Sequence, residues 1–126
     1  MTPTRTAPEA AAWRHADEAD CRHVSRTLEV VGQRWVPSIL LTMARGAERF
    51  SDVLGTVPGL SARMLTVRLR QLEGAGLVER TVVPSTPVAV RYRLTPQGTD
   101  LLAAIRPISD YVRRWEAAEE SPVIAG

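Results

Sequence analysis

The sequence predicts a mainly helical α+β fold in which a small β-hairpin follows a set of short helices. The stretch 61–77, SARMLTVRLRQLEGAGL, has the pattern of an amphipathic helix with leucines on one face and arginines on the other. Two short apolar stretches, 77–83 and 88–94, follow it and are separated by a turn bounded by prolines. A shorter helical pattern, 50–57, precedes it across a Pro-Gly turn. This order is typical of a winged helix-turn-helix.

The arginine-bearing helix has recognisable ends and two distinct faces. Ser61 can cap its first turn, because the hydroxyl accepts from a backbone N–H that has no partner within the helix, and Gly76 suits its end. The face expected to be buried carries Leu65, Leu69 and Leu72. The opposite face carries Arg63, Val67, Arg70 and Gly74, with Thr66 at its edge. The exposed face is therefore expected to be basic.

The first part of the chain predicts a tail and two helical stretches. Residues 1–8, with two prolines and three threonines, are expected to be disordered. Residues 9–19 form an alanine-rich pattern in which Trp13 is the one large apolar side chain. Apolar residues at helical spacing then predict a helix over 25–31, which Gly32 interrupts.

Two more helices are predicted before the arginine-bearing helix. The first begins near Arg34 and ends at Gly46, and Pro37 fits its first turn because a missing N–H costs no hydrogen bond there. Its expected core face consists of Ile39, Leu40 and Met43. The second helix spans 50–57. Phe50 and Leu54 are expected to bury against Leu65 and Leu69.

The last predicted helix begins at a second cap, Thr95, and carries a broad apolar stripe. The stripe consists of Leu101, Ala104, Ile105, Ile108, Tyr111, Val112 and Trp115. Its C-terminal half extends past the last element that could bury it, so a helix from a second copy is the simpler account. Packing wholly within one chain is the alternative. Pro107 is expected to kink or divide this helix.

Length and composition narrow the classes of function. A chain of 126 residues with 44% hydrophobic content predicts one domain, placed at 9–118 with a tail at 119–126. We expect a cytoplasmic protein without a membrane partner, because the sequence has neither an apolar run long enough to span a bilayer nor the apolar centre of a signal peptide. One cysteine and two histidines make a poor metal site, and no cofactor is expected.

Positive charge concentrates in the predicted helix and hairpin. Residues 59–94 contain six arginines and two acidic residues, whereas 1–20 and 95–126 each carry a net charge of −2. Such a distribution favours a polyanionic partner. Together with the helix-turn-helix order, it predicts binding to double-stranded DNA.

Several motifs together resemble a known family. They are a cysteine at 21, then VGQRWVPSILL, RFSDVL, GLSARMLTVRLRQLEGAGLVER and YRLTPQG, all within residues 21–115. In this combination the chain resembles the HxlR family of bacterial winged-helix transcription regulators, which is related to the MarR type. The resemblance implies a homodimer in which the terminal helices of both chains, with Trp13 and the apolar stripe of the last helix, pack together. It would bind a pseudo-palindromic operator, and we expect a repressor.

A two-fold dimer would place the two arginine-bearing helices in successive major grooves, about 34 Å apart. The candidate DNA contacts are Ser61, Arg63, Thr66, Val67, Arg70, Arg91 and Arg93. Arg63 and Arg70 could contact guanine edges or phosphates, and the sequence leaves both open. Arg91 and Arg93 alternate onto one strand face, where they could reach the DNA backbone or the minor groove. Alternatively they remain solvated or pair with Glu79.

Cys21 is the candidate for regulation. Arg22, His23 and a position near a helix start favour its thiolate form, and the resemblance implies a cysteine that senses oxidants or electrophiles. A buried structural cysteine is one alternative. Another is a regulator with a small-molecule effector site, lined by Trp13, Trp35, Met43 or Trp115.

Two other classes of function compete with DNA binding. An enzyme using Cys21 with a nearby histidine is disfavoured, because no acid follows to orient the histidine and residues two apart on a helix do not face each other. The second is a winged helix that is used only for protein contacts. In that case the protein would show no salt-dependent binding to DNA.

Overall fold

The computed structural model describes Arg14 and residues 17–119. The chain divides into two units, residues 1–34 and 35–126. Four helices, a two-stranded hairpin and a last helix follow one another in the described part, which confirms the mainly helical α+β prediction. None of these helices is long and apolar enough to cross a membrane. Trp13, most of the predicted alanine-rich helix and nearly all of both predicted tails lie outside the described residues.

In the first unit, helix α1 spans Glu18–Val31. It begins seven residues earlier than the predicted 25–31, because Asp17 and Asp20 form a reciprocal capping box. The Asp17 carboxylate accepts from the Asp20 N–H at 2.9 Å, and the Asp20 carboxylate accepts from the Asp17 N–H at 3.3 Å. The helix ends at Gly32, as predicted.

The second unit begins with helices α2, Val36–Ala44, and α3, Phe50–Thr56. The predicted core face of α2 is confirmed, since Ile39 and Leu40 are fully buried and Met43 is 6% exposed. In α3 the fully buried side chain is Val53, whereas the predicted Phe50 and Leu54 are only half-buried. A helix of seven residues makes two turns, so only its central position points straight into the core.

Helix α4 spans Ala62–Gly74 and has the ends and the buried face that the sequence predicts. The Ser61 hydroxyl accepts from the Met64 N–H at 3.1 Å. At the other end, Gly76 has a φ of 79°, and the two backbone hydrogen bonds of a Schellman motif close the helix. The three predicted leucines are at most 2% exposed. Burial of this stripe fixes which face of α4 remains at the surface.

Trp35 precedes α2 in a conformation that bulky residues rarely adopt. Its φ is 81° and its ψ is −16°, in the left-handed region. The indole lies beside Gly59, in the turn between α3 and α4: a Cβ added at Gly59 would lie 3.3 Å from Cη2 of Trp35. Trp35 therefore packs against the turn that sets the direction of α4.

The hairpin consists of β1, Val78–Val83, and β2, Ala89–Leu94, joined by the predicted turn. The strands are antiparallel, with Val78 opposite Leu94 and Val83 opposite Ala89. This register puts Arg80 and Tyr92 on one face of the hairpin. Glu79, Thr81, Arg91 and Arg93 share the other face.

Helix α5 spans Pro96–Glu119. Thr95 caps it as predicted, because its hydroxyl oxygen accepts from the Gly98 N–H at 3.0 Å; the same hydroxyl donates to the Gly76 carbonyl at 2.6 Å. Pro107 was predicted to kink or divide this helix; the division is wrong, since the helix continues through this residue, and the kink stays a prediction. Proline removes one backbone hydrogen bond, and the turns on both sides keep theirs.

Candidate nucleic-acid interface

The surface of α4 opposite the buried leucines is basic. The residues predicted to lie there are all exposed, and Val67 is 41% exposed. They are Arg63, Val67, Arg70 and Gly74. Arg63 and Arg70 lie seven residues apart, about 10 Å along a helix axis, which is comparable to the rise of three base pairs. A major groove admits an α-helix, and arginine there can contact guanine or phosphate. The geometry of α4 thus suits insertion into a groove.

Two hydroxyl groups at the start of α4 differ in what they can offer a ligand. The Ser61 oxygen accepts from the Met64 N–H, so its hydroxyl proton is left to donate to an anion at this helix N-terminus. The Thr66 hydroxyl instead donates to the Ala62 carbonyl at 3.0 Å. Thr66 is half-buried and offers only its lone pairs, which suits a base amino group better than a phosphate.

The two arginines of β2, Arg91 and Arg93, are placed together, as their alternation predicts, and both pair with one carboxylate. Arg91 Nη1 lies 3.1 Å from Glu48 Oε1, and Arg93 Nε lies 3.3 Å from Glu48 Oε2. The ion-pair partner is therefore Glu48, in the loop between α2 and α3, and not the Glu79 that the sequence suggested. Sequence reasoning missed Glu48 because no local pattern relates residues 43 positions apart.

A groove with a volume of about 340 Å³ joins α4 to the hairpin. Its lining comprises Thr66, Leu69, Arg70, Glu73, Arg80 and Tyr92. Arg80 lies on the hairpin face that lines this groove, away from Arg91 and Arg93. The basic surface of α4 is thereby continuous with the hairpin face that carries Arg80, and not with the face that carries the predicted flanking contacts Arg91 and Arg93.

The apolar stripe of α5 differs in exposure along its length. In the single chain, Leu101, Ile105 and Val112 are half-buried. Ile108, Tyr111 and Trp115 are 53%, 54% and 55% exposed. Three large apolar side chains within about two turns form a patch of the kind that marks a protein contact.

Cys21 lies in the first turn of α1 as a free and exposed thiol. The alternative of a buried structural cysteine is therefore wrong for the single chain. Nη1 of the neighbouring Arg22 lies 3.9 Å from Oε1 of Glu18, which is one turn earlier in the helix. Of the residues considered for an effector site, Met43 belongs to the core while Trp115 is exposed.

Comparison with known proteins gives a consistent result. Residues 30–120 match the family model described as HxlR-like helix-turn-helix. The HTH-type transcriptional regulator YvaP of Bacillus subtilis is 36% identical over 95 residues, which cover 75% of this chain and 88% of YvaP. YodB of the same organism, also named an HTH-type transcriptional regulator, is 38% identical over 95 residues, covering 75% of this chain and 85% of YodB.

Solved structures agree with this assignment. Diamide-treated YodB superposes with a TM-score of 0.66 at 36% identity, covering 71% of this chain and 89% of that one. The redox regulator HypR in its oxidised form superposes with a TM-score of 0.61 at 34% identity. The match covers 75% of this chain and 94% of the HypR chain. The chain thus belongs to the HxlR-like helix-turn-helix family, and it is a DNA-binding transcription regulator, not an enzyme.

Proposed function

We propose that this protein is a homodimeric repressor that acts in the cytoplasm on a pseudo-palindromic operator. The observation that carries the proposal is the exposed arginine face of α4, held outward by three buried leucines and continuous with the hairpin. Two such helices related by a two-fold axis would enter successive major grooves about 34 Å apart. A dimer bound to promoter DNA hinders polymerase sterically, so repression needs only binding and release.

The proposed contacts divide by chemistry. Arg63 and Arg70 read guanine edges, where a bidentate arginine discriminates between bases, and Val67 contacts a thymine methyl group. Ser61 binds a phosphate at the start of α4, and Thr66 accepts from a base. Arg91 and Arg93 contact the flanking DNA backbone. The dimer contact is formed by Trp13 and the α5 stripe, Leu101, Ile105, Ile108, Tyr111, Val112 and Trp115.

Arg63→Ala and Arg70→Ala should each weaken binding to the operator by about 1–3 kcal/mol and relax discrimination at one base position. Binding to random-sequence DNA should change much less, because a lost base contact matters only where the correct base is present. Fluorescence anisotropy with a duplex from upstream of the coding sequence, and with a shuffled duplex, measures both affinities.

Arg106→Ala is the matched control, since it removes the same charge from an exposed position on α5. It should leave the ratio of operator to random-sequence affinity unchanged. An equal loss on both duplexes for Arg63→Ala and Arg70→Ala would mean that these arginines contact phosphates and do not read bases.

The regulatory part of the proposal assigns oxidant sensing to Cys21. It is supported by the exposure of the thiol and by the similarity to YodB and HypR, whose solved structures include diamide-treated and oxidised forms. Diamide takes two electrons and two protons from two thiols, which then form a disulfide. The two thiols are either Cys21 of both protomers or Cys21 and a small thiol. Either product would alter the spacing of the two α4 helices.

Cys21→Ser should abolish the response to diamide while keeping DNA affinity in the reduced state. Binding of the unmodified protein to its upstream DNA should fall on oxidation and return with dithiothreitol, because thiol-disulfide exchange reverses the bond. Electrophoretic mobility shift with both proteins gives the result. Equal binding of the unmodified protein before and after diamide would refute oxidant sensing by Cys21. A small-molecule effector would then be the remaining candidate for the signal.

A further inference from the structure

The carboxylate of Glu48 holds both arginines of β2, Arg91 and Arg93. Each arginine takes a separate oxygen of its carboxylate, Arg91 at 3.1 Å and Arg93 at 3.3 Å. The three charges sum to +1, half the charge that the two arginines alone would present. Arginine contacts to DNA phosphates depend on that charge, because neutralised phosphates release their counterions.

The backbone keeps Glu48 in place independently of its carboxylate. The Tyr92 N–H donates to the Glu48 carbonyl oxygen at 2.8 Å, which ties the loop before α3 to the strand between the two arginines. Tyr92 follows Arg91 and precedes Arg93, so this one bond holds the backbone of Glu48 beside the pair. Removing the charge of Glu48 therefore need not release the loop.

Partial burial makes this cluster more persistent than the ion pairs elsewhere on the surface. The side chains of Glu48 and Arg91 are 32% and 36% exposed, whereas those of Arg113 and Asp110 in α5 are 72% and 57% exposed. Solvent and salt screen a half-buried pair less than an exposed one. Arg93 is 62% exposed, so a phosphate can approach the cluster from that side.

We propose that Glu48 limits the sequence-independent affinity of this regulator for DNA by occupying Arg91 and Arg93. A phosphate that approaches either arginine must displace the carboxylate or bear its repulsion. Strand β2 then contributes fewer phosphate contacts than its two arginines would allow. Weak attachment to random DNA leaves more of the protein free to find its operator. The inference rests on the proposed function, since it concerns the same DNA-binding surface.

Glu48→Gln is the decisive variant, because glutamine keeps the length of the side chain and the backbone bond but removes the charge. Affinity for a random-sequence duplex should rise roughly tenfold near 0.1 M salt. The slope of log K against log salt between 50 and 200 mM should steepen by about 1–2, since each added phosphate contact contributes about 0.9.

Glu79→Gln is the matched control. Glu79 lies on the same hairpin face, opposite Arg93, and is exposed. It loses the same charge, so a general effect of net charge would raise affinity equally in both variants. Adding Arg91→Gln and Arg93→Gln to Glu48→Gln should lower the slope to that of the unmodified protein or below it, because the released arginines cause the gain.

Fluorescence anisotropy of the full chain separates the outcomes. If the unmodified protein binds DNA and Glu48→Gln behaves like Glu79→Gln, or binds more weakly, the role of Glu48 is refuted and the proposed function stands. If the unmodified protein binds neither random DNA nor its upstream region, the proposed function itself fails. Should Glu48→Gln unfold at a markedly lower temperature, Glu48→Ala replaces it, because alanine also removes the charge, keeps the backbone bond from Tyr92 and should also raise the affinity.

Discussion

Gly98→Ala should lower the free energy of unfolding by about 3 kcal/mol, and the thermal midpoint by roughly 10 °C. Gly98 is buried in the first turn of α5, where the helix passes against the backbone of Leu77. A methyl group there would overlap the Leu77 carbonyl oxygen and lie 3.1 Å from its carbon. Backbone cannot rotate aside as a side chain can, so α5 must shift.

The same shift would disturb the cap of α5. The Gly98 N–H donates to Thr95, whose own N–H donates to the Leu77 carbonyl at 3.0 Å. Movement of the helix therefore loosens the junction between α4, β1 and α5, and operator binding should fall with stability.

Gly55→Ala is the control for this prediction. Gly55 is also helical, but a Cβ added there meets nothing within 4 Å. Alanine should stabilise α3 by up to about 1 kcal/mol, because it loses less backbone entropy than glycine on folding. Urea unfolding followed by circular dichroism measures both variants. A Gly98→Ala protein as stable as the unmodified one would show that α5 can move away from Leu77 at little cost.

Trp115→Asp and Ile108→Asp should each convert the proposed dimer to a monomer. Two-fold symmetry places every substitution twice in the interface, so two carboxylates would have to be buried or leave it. The exposed halves of these side chains are the apolar area that the dimer would remove from water. Operator affinity should fall at least a hundredfold, because one protein would no longer present two recognition helices together.

Sedimentation velocity at micromolar concentration tests this directly. Ala117→Asp introduces the same charge into α5 on the side away from the stripe, at an exposed position, and should remain dimeric. If the unmodified protein is a dimer and Trp115→Asp and Ile108→Asp sediment identically to it, the dimer contact lies elsewhere than on this face of α5.

Most of the helix-turn-helix and its basic face could be predicted from local patterns. Ser61, Thr95 and Gly76 each act within a few residues of their own position, and the structure places all three as the sequence indicates. The predicted start of α1 was too late in the chain, although side-chain capping also determines this start. Asp17 caps that helix through Asp20, and the apolar periodicity used for the prediction begins only later.

The remaining differences concern packing between elements. The i, i+4, i+7 spacing of three leucines shows which face of α4 is buried. It does not show that Val53, rather than Phe50, is the fully buried side chain of α3. Nor does any pattern indicate that Trp35 would take a left-handed conformation against Gly59. Such choices depend on how two surfaces meet, and amphipathic periodicity describes only one surface at a time.

The sequence by itself determined the helical order, the caps and the arginine face of α4, because these follow from interactions within one or two turns. Only the tertiary structure decided the state of the two arginines of β2. The sequence leaves Arg91 and Arg93 as DNA contacts, solvated side chains or partners of Glu79, yet both pair with Glu48, which the loop before α3 brings to them from more than forty residues away. Charge can be counted from a sequence, but its partner depends on which segments the core brings together.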